Sequence, residues 1–195
     1  AKFAKITGHP EDVVYYKNLA DTIKKAINNK FYNKKKGIYA NGSQTAMSAA
    51  LYQGIVPEDK KERVLENLEN RIYADNKHLD IGFLGSKYLL NALTENGLNN
   101  LAYTIASQET KPSWGWWIRQ GLTTFQEGWE IGPSKNHIFK GEILAWMYKA
   151  LAGIKPDPEN PGFENIIIKP HFVDELSHVK ARYNSINGLI ISEWK

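Results

Sequence analysis

Apolar residues recur at helical spacing through most of the first 155 positions of the chain. The pattern predicts helices at about 11–29, 44–54, 57–73, 81–95, 98–108 and 135–152. Ser43 is expected to cap the second helix, Pro57 to be the first residue of the third, and Asp80 to cap the fourth. Lysine-rich helices alternate with more apolar ones, which indicates an outer and an inner helical layer.

Three of these helices have apolar stripes. They are Val14, Leu19, Ile23 and Ala26 in the first helix, Val64, Leu65, Leu68 and Ile72 in the third, and Leu84, Tyr88, Leu89 and Leu93 in the fourth, where they are expected to pack inward. Helices that follow one another through short turns, each with one apolar face, predict a mainly α fold.

The pattern changes after Lys155. Prolines interrupt any further helix, and they stand at Pro156, Pro158 and Pro161. We therefore expect a helical unit over residues 1–155 and a small antiparallel β segment over residues 156–195.

Three stretches of the β segment have the composition of strands. Residues 166–168 are all isoleucine, and residues 179–183 alternate apolar with charged side chains. Asn187-Gly188 predicts a hairpin turn before a third strand at 189–191. Three strands are marginal alone, so we expect them to pack on the helices or to continue into a larger domain.

Composition excludes several kinds of chemistry. The chain has no cysteine, so it forms neither disulfides nor thiolates. No motif for a metal ion or a phosphate-binding loop occurs, so no metal and no cofactor are predicted. The net charge is only +4, and the basic cluster at Lys30 and 34–36 is expected to be a solvated loop, so no nucleic-acid partner is predicted. No apolar run approaches the ~18 residues of a membrane span.

The segment 111–142 stands out, because glycines and prolines keep most of it from being helical. It contains Glu127, Glu130 and His137 among four of the six tryptophans of the chain. An aromatic face stacks on a sugar ring, and a carboxylate activates water at the anomeric carbon. The residues fit a second interpretation equally well, in which the tryptophans fill a core and the glutamates are surface groups.

Several stretches, in chain order, resemble the α-L-rhamnosidases of glycoside hydrolase family 78. They are Ser43-Gln44-Thr45-Ala46, His78 to Gly85, Leu93 to Gly97, Pro112-Ser113-Trp114-Gly115, Gly121 to Trp129, Asn136-His137, Ala152-Gly153-Ile154 and Pro161-Gly162-Phe163. The most specific element is T-T-x-x-E-x-W followed by N-H, and the resemblance covers nearly the whole chain.

The resemblance implies an (α/α)6 barrel and inverting hydrolysis of terminal α-L-rhamnosyl groups from glycosides or plant polysaccharides. Glu127 matches the general base of the family, His137 a histidine that contacts the sugar, and Trp129 and Trp114 its aromatic wall. Glu130 is the alternative carboxylate. In the structural alternatives, His137 caps the following helix and the ring of Trp129 fills the interior of the barrel. Six helices make about half of such a barrel, so residues 1–155 are expected to be a half-barrel and 156–195 the start of a C-terminal β-sandwich.

The chain also departs from the family. The general acid lies in an acidic motif upstream of the matching region, and no such motif occurs here. The ten-residue spacing from Glu127 to His137 is shorter than expected, and Phe125-Gln126 replaces an aliphatic-aromatic pair. Since the chain begins with Ala1, we expect a fragment of a longer enzyme that is inactive by itself.

Other expectations follow from the fragment interpretation. The exposed half-barrel surface predicts self-association, and a carbohydrate substrate is the expected partner. Export to the periplasm or the extracellular space is favoured for a polysaccharide-degrading enzyme. The alternative function is a carbohydrate-binding or scaffold helical domain without turnover.

Overall fold

The computed structural model describes residues 1–195 and is mainly helical, with short antiparallel strand pairs. The α-helices are α1 (Lys2–Ile6), α2 (Pro10–Phe31), α3 (Gln44–Tyr52), α4 (Glu58–Ala74), α5 (Phe83–Glu95), α6 (Asn99–Ala106), α7 (Trp114–Arg119) and α8 (Glu142–Trp146). The strands are β1 (Tyr32–Asn33), β2 (Ile38–Tyr39), β3 (Ile154–Pro156), β4 (Ile166–Ile168), β5 (Val179–Ser185) and β6 (Gly188–Trp194).

The starts of the helices test the predicted caps. Ser43 caps α3 as predicted, since its hydroxyl accepts a hydrogen bond from the amide of Ala46 at 3.3 Å. Pro57 is the cap residue just before α4 and not its first residue. The predicted cap at Asp80 is wrong, because α5 begins later and its cap is Gly82. The carboxylate of Asp80 instead pairs with Arg71 at 2.7 Å.

The core lies where α3, α4 and α5 pack together. Val64, Leu68 and Ile72 form the buried face of α4. Leu89 and Leu93 are buried in α5 as predicted, but Leu84 is half exposed. Leu84 and Leu89 are five residues apart, which turns them by about 140° around the helix, so the predicted stripe mixed two faces.

Helix α2 is different, because none of its 22 residues is buried. Its predicted stripe exists, but Val14, Leu19 and Ile23 are 61%, 39% and 49% exposed, so much of their apolar surface stays uncovered in this chain. The helix is held near its end by Asn28, whose side-chain amide donates to the carbonyl of Ile55 at 2.9 Å. Val14, Leu19 and Ile23 are therefore not part of the hydrophobic core of this chain.

The last predicted helix is shorter and broken into three turns. A 3-10 turn at Ile138–Gly141 leads into α8, and a π-helical turn at Met147–Leu151 ends the helical region. None of the helices combines the length and the apolar character needed to cross a membrane.

The β segment is antiparallel, as predicted. Strand β3 pairs with β4, and β5 pairs with β6 in a hairpin. Because Ser185 faces Gly188 in the register, the turn residues are Ile186 and Asn187, one position earlier than predicted. Gly188 then carries the positive φ of 122° at the start of β6.

Candidate active site

Two backbone hydrogen bonds close the segment that carries Glu127. The amide of His137 donates to the carbonyl of Phe125 at 2.9 Å, and the amide of Glu127 donates to the carbonyl of Ser134 at 3.2 Å. These bonds fold the chain back on itself, so the ten-residue spacing still brings the backbone of His137 beside the start of the Glu127 segment.

The two glutamates of this segment differ in what they contact. The side chain of Glu127 is exposed to solvent. Glu130 is exposed as well, but its carboxylate forms an ion pair with Lys111. Glu127 is therefore the carboxylate left available to water or a ligand.

The indole of Trp129 is fixed by three neighbours. Its nitrogen donates to the carbonyl of Ile81 at 2.7 Å. Its ring stacks on Trp117 with centroids 4.8 Å apart and meets the edge of Trp114 at 5.4 Å. Because Trp129 is half-buried and so closely packed, it both fills the protein interior and reaches the surface near Glu127.

Trp114 lies deeper than the predicted aromatic wall requires. It is 4% exposed, and its indole nitrogen donates to the carbonyl of Lys140 at 2.9 Å. It opens the short helix α7, which the sequence pattern did not predict and which Ser113 caps by accepting from the amide of Trp116 at 2.9 Å. Direct sugar contact by Trp114 stays a prediction, and its burial makes it the least supported of the four site assignments.

The ring of His137 lies against two phenylalanines. The centroid of Phe83 is 5.4 Å from it and that of Phe139 is 5.7 Å. His137 precedes the 3-10 turn at Ile138–Gly141 but makes no side-chain capping bond, so the capping alternative is not what the structure has. Its Nδ1 is buried without a hydrogen-bond partner.

Sequence reasoning missed Phe83 and Phe139. Both are 39% exposed, and both stand beside a predicted sugar-contacting residue. Their aromatic faces suit the apolar face of a pyranose. Phe83 lies inside one of the stretches that carry the family resemblance, and this was the available signal. For Phe139, the only signal in the sequence was its position two residues after His137.

Lys140 was also missed, and it is fully buried. Its ammonium lies 3.6 Å from the centroid of the Trp129 ring. Burial disfavours the charged form and lowers the pKa of Lys140 to about 7. Gln126, the residue before Glu127, is buried as well, and neither the oxygen nor the nitrogen of its side-chain amide has a hydrogen-bond partner.

A network around Gln44 places the start of α5 relative to α3. The Gln44 amide nitrogen donates to Asp75 at 2.8 Å and to the carbonyl of His78 at 2.9 Å. Its oxygen accepts from the amide of Asp80 at 3.1 Å. Two of the stretches that carry the family resemblance therefore meet here, and they position Ile81, the acceptor for Trp129.

The main clefts of the structure are not lined by Glu127, Trp129 or His137. A polar cleft of about 220 Å³ is lined in part by Asn91, Glu95, Lys149 and Lys155. Asn91 and Glu95 lie in the second half of α5, whereas Phe83 is its first residue. Within the cleft, burial raises the pKa of Glu95 and lowers that of Lys155.

Chemically, this region offers the exposed carboxylate of Glu127, the imidazole of His137 and partly exposed aromatic rings. This set can hold a sugar ring and can accept a proton from a water molecule. An inverting hydrolysis also needs a second carboxyl roughly 6.5–9.5 Å away.

Comparisons with known proteins identify the family to which the chain is similar. Residues 1–151 match the model of the bacterial α-L-rhamnosidase six-hairpin glycosidase domain, and residues 153–195 match that of the bacterial α-L-rhamnosidase C-terminal domain. An α-L-rhamnosidase of Formosa agariphila is 32% identical over all of this chain and 22% of its own length. One of Streptomyces avermitilis is 32% identical over 95% of this chain and 19% of its own length.

Solved structures show the same relationship. The α-L-rhamnosidase of Dictyoglumus thermophilum superposes on the whole chain with a TM-score of 0.91 and 40% identity, over 22% of its own length. That of Streptomyces avermitilis in complex with L-rhamnose superposes on 98% of the chain with a TM-score of 0.89 and 30% identity, over 19% of its own length. The chain therefore spans about a fifth of the length of these relatives, and the predicted partial barrel of helical hairpins is confirmed.

Proposed function

Because this chain belongs to the bacterial α-L-rhamnosidases, we propose that it is part of an enzyme that releases terminal α-L-rhamnose with inversion at the anomeric carbon. The substrate class is a rhamnosylated glycoside or plant polysaccharide. The proposal is supported by the relatives, which are α-L-rhamnosidases, and by the exposed carboxylate of Glu127, two residues from the half-buried Trp129.

Glu127 is the proposed general base. Its carboxylate accepts a proton from water as the water oxygen bonds to the anomeric carbon, and the bond to the leaving oxygen breaks on the opposite face. The observation that carries this assignment is the contrast with Glu130. Glu127 is exposed on a segment closed by its own backbone bond to Ser134, while Glu130 is engaged by Lys111.

We assign the sugar contacts to His137 and Trp129. The buried Trp114 packs against the ring of Trp129. The half-buried imidazole of His137 can donate to or accept from a sugar hydroxyl. Trp129 reaches the same surface through its packing on Trp114 and Trp117. Carbohydrate is the proposed partner, and no cofactor is proposed.

The isolated chain is proposed to be inactive. It offers Glu127 but no matching acid motif for protonating the leaving oxygen, and both groups are needed for inversion. We also propose that residues 1–155 are a half-barrel of the catalytic domain and that residues 156–195 begin a C-terminal β-sandwich.

The test uses the full-length protein that carries these residues and an aryl α-L-rhamnoside as substrate. Glu127→Gln should lower kcat by about 10²–10⁴-fold, because the variant cannot accept the proton from water. Glu130→Gln is the matched control, and its kcat should stay within a few-fold of the wild type. An unchanged kcat for Glu127→Gln would contradict the base assignment.

Two further measurements address the remaining parts of the proposal. The anomer formed first should be β-L-rhamnose, as read by ¹H NMR before mutarotation. The 195-residue chain alone should release no aryl alcohol above the background rate, and robust turnover by the chain would show that the fragment interpretation is wrong.

A further inference from the structure

Lys140 contacts three of the four predicted site residues. Its amide donates to the carbonyl of His137 at 3.1 Å, and its carbonyl accepts from the indole nitrogen of Trp114 at 2.9 Å. Its ammonium lies over the ring of Trp129 at 3.6 Å from the centroid. The residue thus joins the aromatic cluster to the chain that carries His137.

The ammonium itself has no conventional partner. Lys140 is fully buried, and its Nζ makes neither a hydrogen bond nor an ion pair. The nearest acidic residue along the chain, Glu142, pairs instead with Lys149 at 3.0 Å. Burial is the only cause that lowers the pKa of Lys140 to about 7, with no contribution from a neighbouring charge.

A buried cation without a carboxylate is unfavourable compared with an apolar side chain of similar size. A methionine would fill the same space without losing hydration. Lys140 is therefore not explained by packing alone, and the contact that its charge does make is with the face of Trp129, where the negative quadrupole of the ring attracts a cation.

We propose that Lys140 is a positioning residue, whose ammonium holds the Trp129 indole in place and thereby fixes the segment that presents Glu127. Trp129 is only two residues from Glu127, and the glycines Gly121, Gly128 and Gly132 give this segment little stiffness of its own. The indole of Trp129 is therefore the main point at which this loop is attached to the rest of the protein, apart from the backbone hydrogen bonds at its ends. The catalytic consequence of this inference rests on the proposed role of Glu127.

The direct test is a pH titration of tryptophan fluorescence in the 195-residue chain. The wild type should show a transition with a midpoint near pH 7, because an ammonium over an indole changes its emission. Lys140→Met should abolish the transition. Lys135→Met, which removes an exposed lysine from the same loop, should retain it, and so should Glu127→Gln. If Lys140→Met keeps the transition, the proposal is overturned.

Thermal unfolding at pH 6 separates positioning from ordinary packing. Lys140→Met should raise the Tm, since the desolvated charge is removed. A fall in Tm would mean that the side chain of Lys140 stabilises the core by packing, and the positioning role would be wrong.

In the full-length protein, Lys140→Met should lower kcat by about tenfold with a smaller change in KM, since the base is displaced but the sugar contacts remain. Unchanged kcat, while Glu127→Gln abolishes activity, would refute the positioning role alone. An active Glu127→Gln variant would refute the proposed base role of Glu127, and the fluorescence titration would still decide whether Lys140 holds Trp129.

Discussion

The indole nitrogen of Trp129 donates a hydrogen bond to the carbonyl oxygen of Ile81 at 2.7 Å. This bond ties the loop that carries Glu127 to the residues just before α5. Ile81 is buried and Trp129 is half-buried, so water does not readily replace the bond. The position of the loop therefore depends on how α5 begins, and four features of that region and one of α2 lead to predictions.

Removing the indole nitrogen of Trp129 should destabilise the chain. Trp129→Phe leaves the Ile81 carbonyl without a partner and opens a space beside Trp117, so we expect a loss of about 2–3 kcal/mol in the free energy of unfolding. Urea denaturation followed by circular dichroism measures it. Trp116→Phe is the control and should cost less, because the half-buried Trp116 makes no indole hydrogen bond in the chain. Equal losses for the two variants would contradict the role of the bond.

Gln44 is expected to be one of the most sensitive polar positions. Gln44→Leu keeps the volume but leaves Asp75, the carbonyl of His78 and the amide of Asp80 without this partner. The expected destabilisation is about 2–4 kcal/mol. Gln53→Leu changes an exposed glutamine at the end of the same helix and should stay within about 0.5 kcal/mol of the wild type. A small effect at Gln44 would mean that water replaces its bonds.

Gly85 allows α5 to approach α3 closely. A Cβ atom at this position would lie 2.5 Å from the Thr45 hydroxyl and 2.6 Å from the Cβ of Ile81. Gly85→Ala should therefore cost about 1–3 kcal/mol in the free energy of unfolding. Gly82→Ala is the matched control, since a Cβ there meets no atom within 4 Å. Comparable Tm values for the two variants would show that α3 and α5 can move apart enough to accommodate the added methyl group without loss of stability.

These positions show how far the sequence could predict the structure. Helical periodicity located the main helices, and a serine before α3 was enough to identify its cap. Asp80 was misassigned because an aspartate just before a helix usually caps it. In the structure α5 begins later, and the carboxylate of Asp80 pairs with Arg71 instead. Such a competition depends on residues that are distant in sequence.

The candidate site was predictable only in part. The order of motifs placed Glu127, His137 and the tryptophans in one segment, and the structure brings them to one region. Lys140 was not predicted, because a lysine in a mixed apolar and polar stretch usually reaches solvent. Its burial follows from the tertiary position of Trp129, which no local pattern contains.

The buried ammonium of Lys140 should leave a pH dependence in stability. Its pKa is about 7 in the folded chain and near its ordinary value of about 10.4 when unfolded. Between these values the unfolded chain binds more protons, so the contribution of Lys140 to stability rises with pH by at most about 1.4 kcal/mol per unit. Below pH 7 the contribution is constant and at its minimum.

The measurement is the difference in unfolding free energy between the wild type and Lys140→Met. Lys140→Met should be the more stable protein at pH 6 to 7, and its advantage should shrink as the pH rises from 7 to 10. Lys135→Met, which removes an exposed lysine from the same loop, serves as the control. A constant advantage from pH 7 to 10 would show that Lys140 stays protonated in the folded chain over this range, with no difference in its pKa between the folded and unfolded chain.

Self-association of the isolated chain is predicted from α2. The 22-residue helix buries no side chain, and Val14, Leu19 and Ile23 are exposed on it. Apolar surfaces of this kind are unstable in water unless another surface covers them, so the 195-residue chain should form dimers or larger species. Size-exclusion chromatography with light scattering gives the mass. The double variant Leu19→Asp and Ile23→Asp should shift the chain towards the monomer, whereas Lys17→Asp and Lys24→Asp, on the same helix, should leave the mass unchanged. A wild-type chain that is monomeric at about 100 µM would contradict the prediction, because association through the exposed apolar side chains of α2 should be measurable at that concentration.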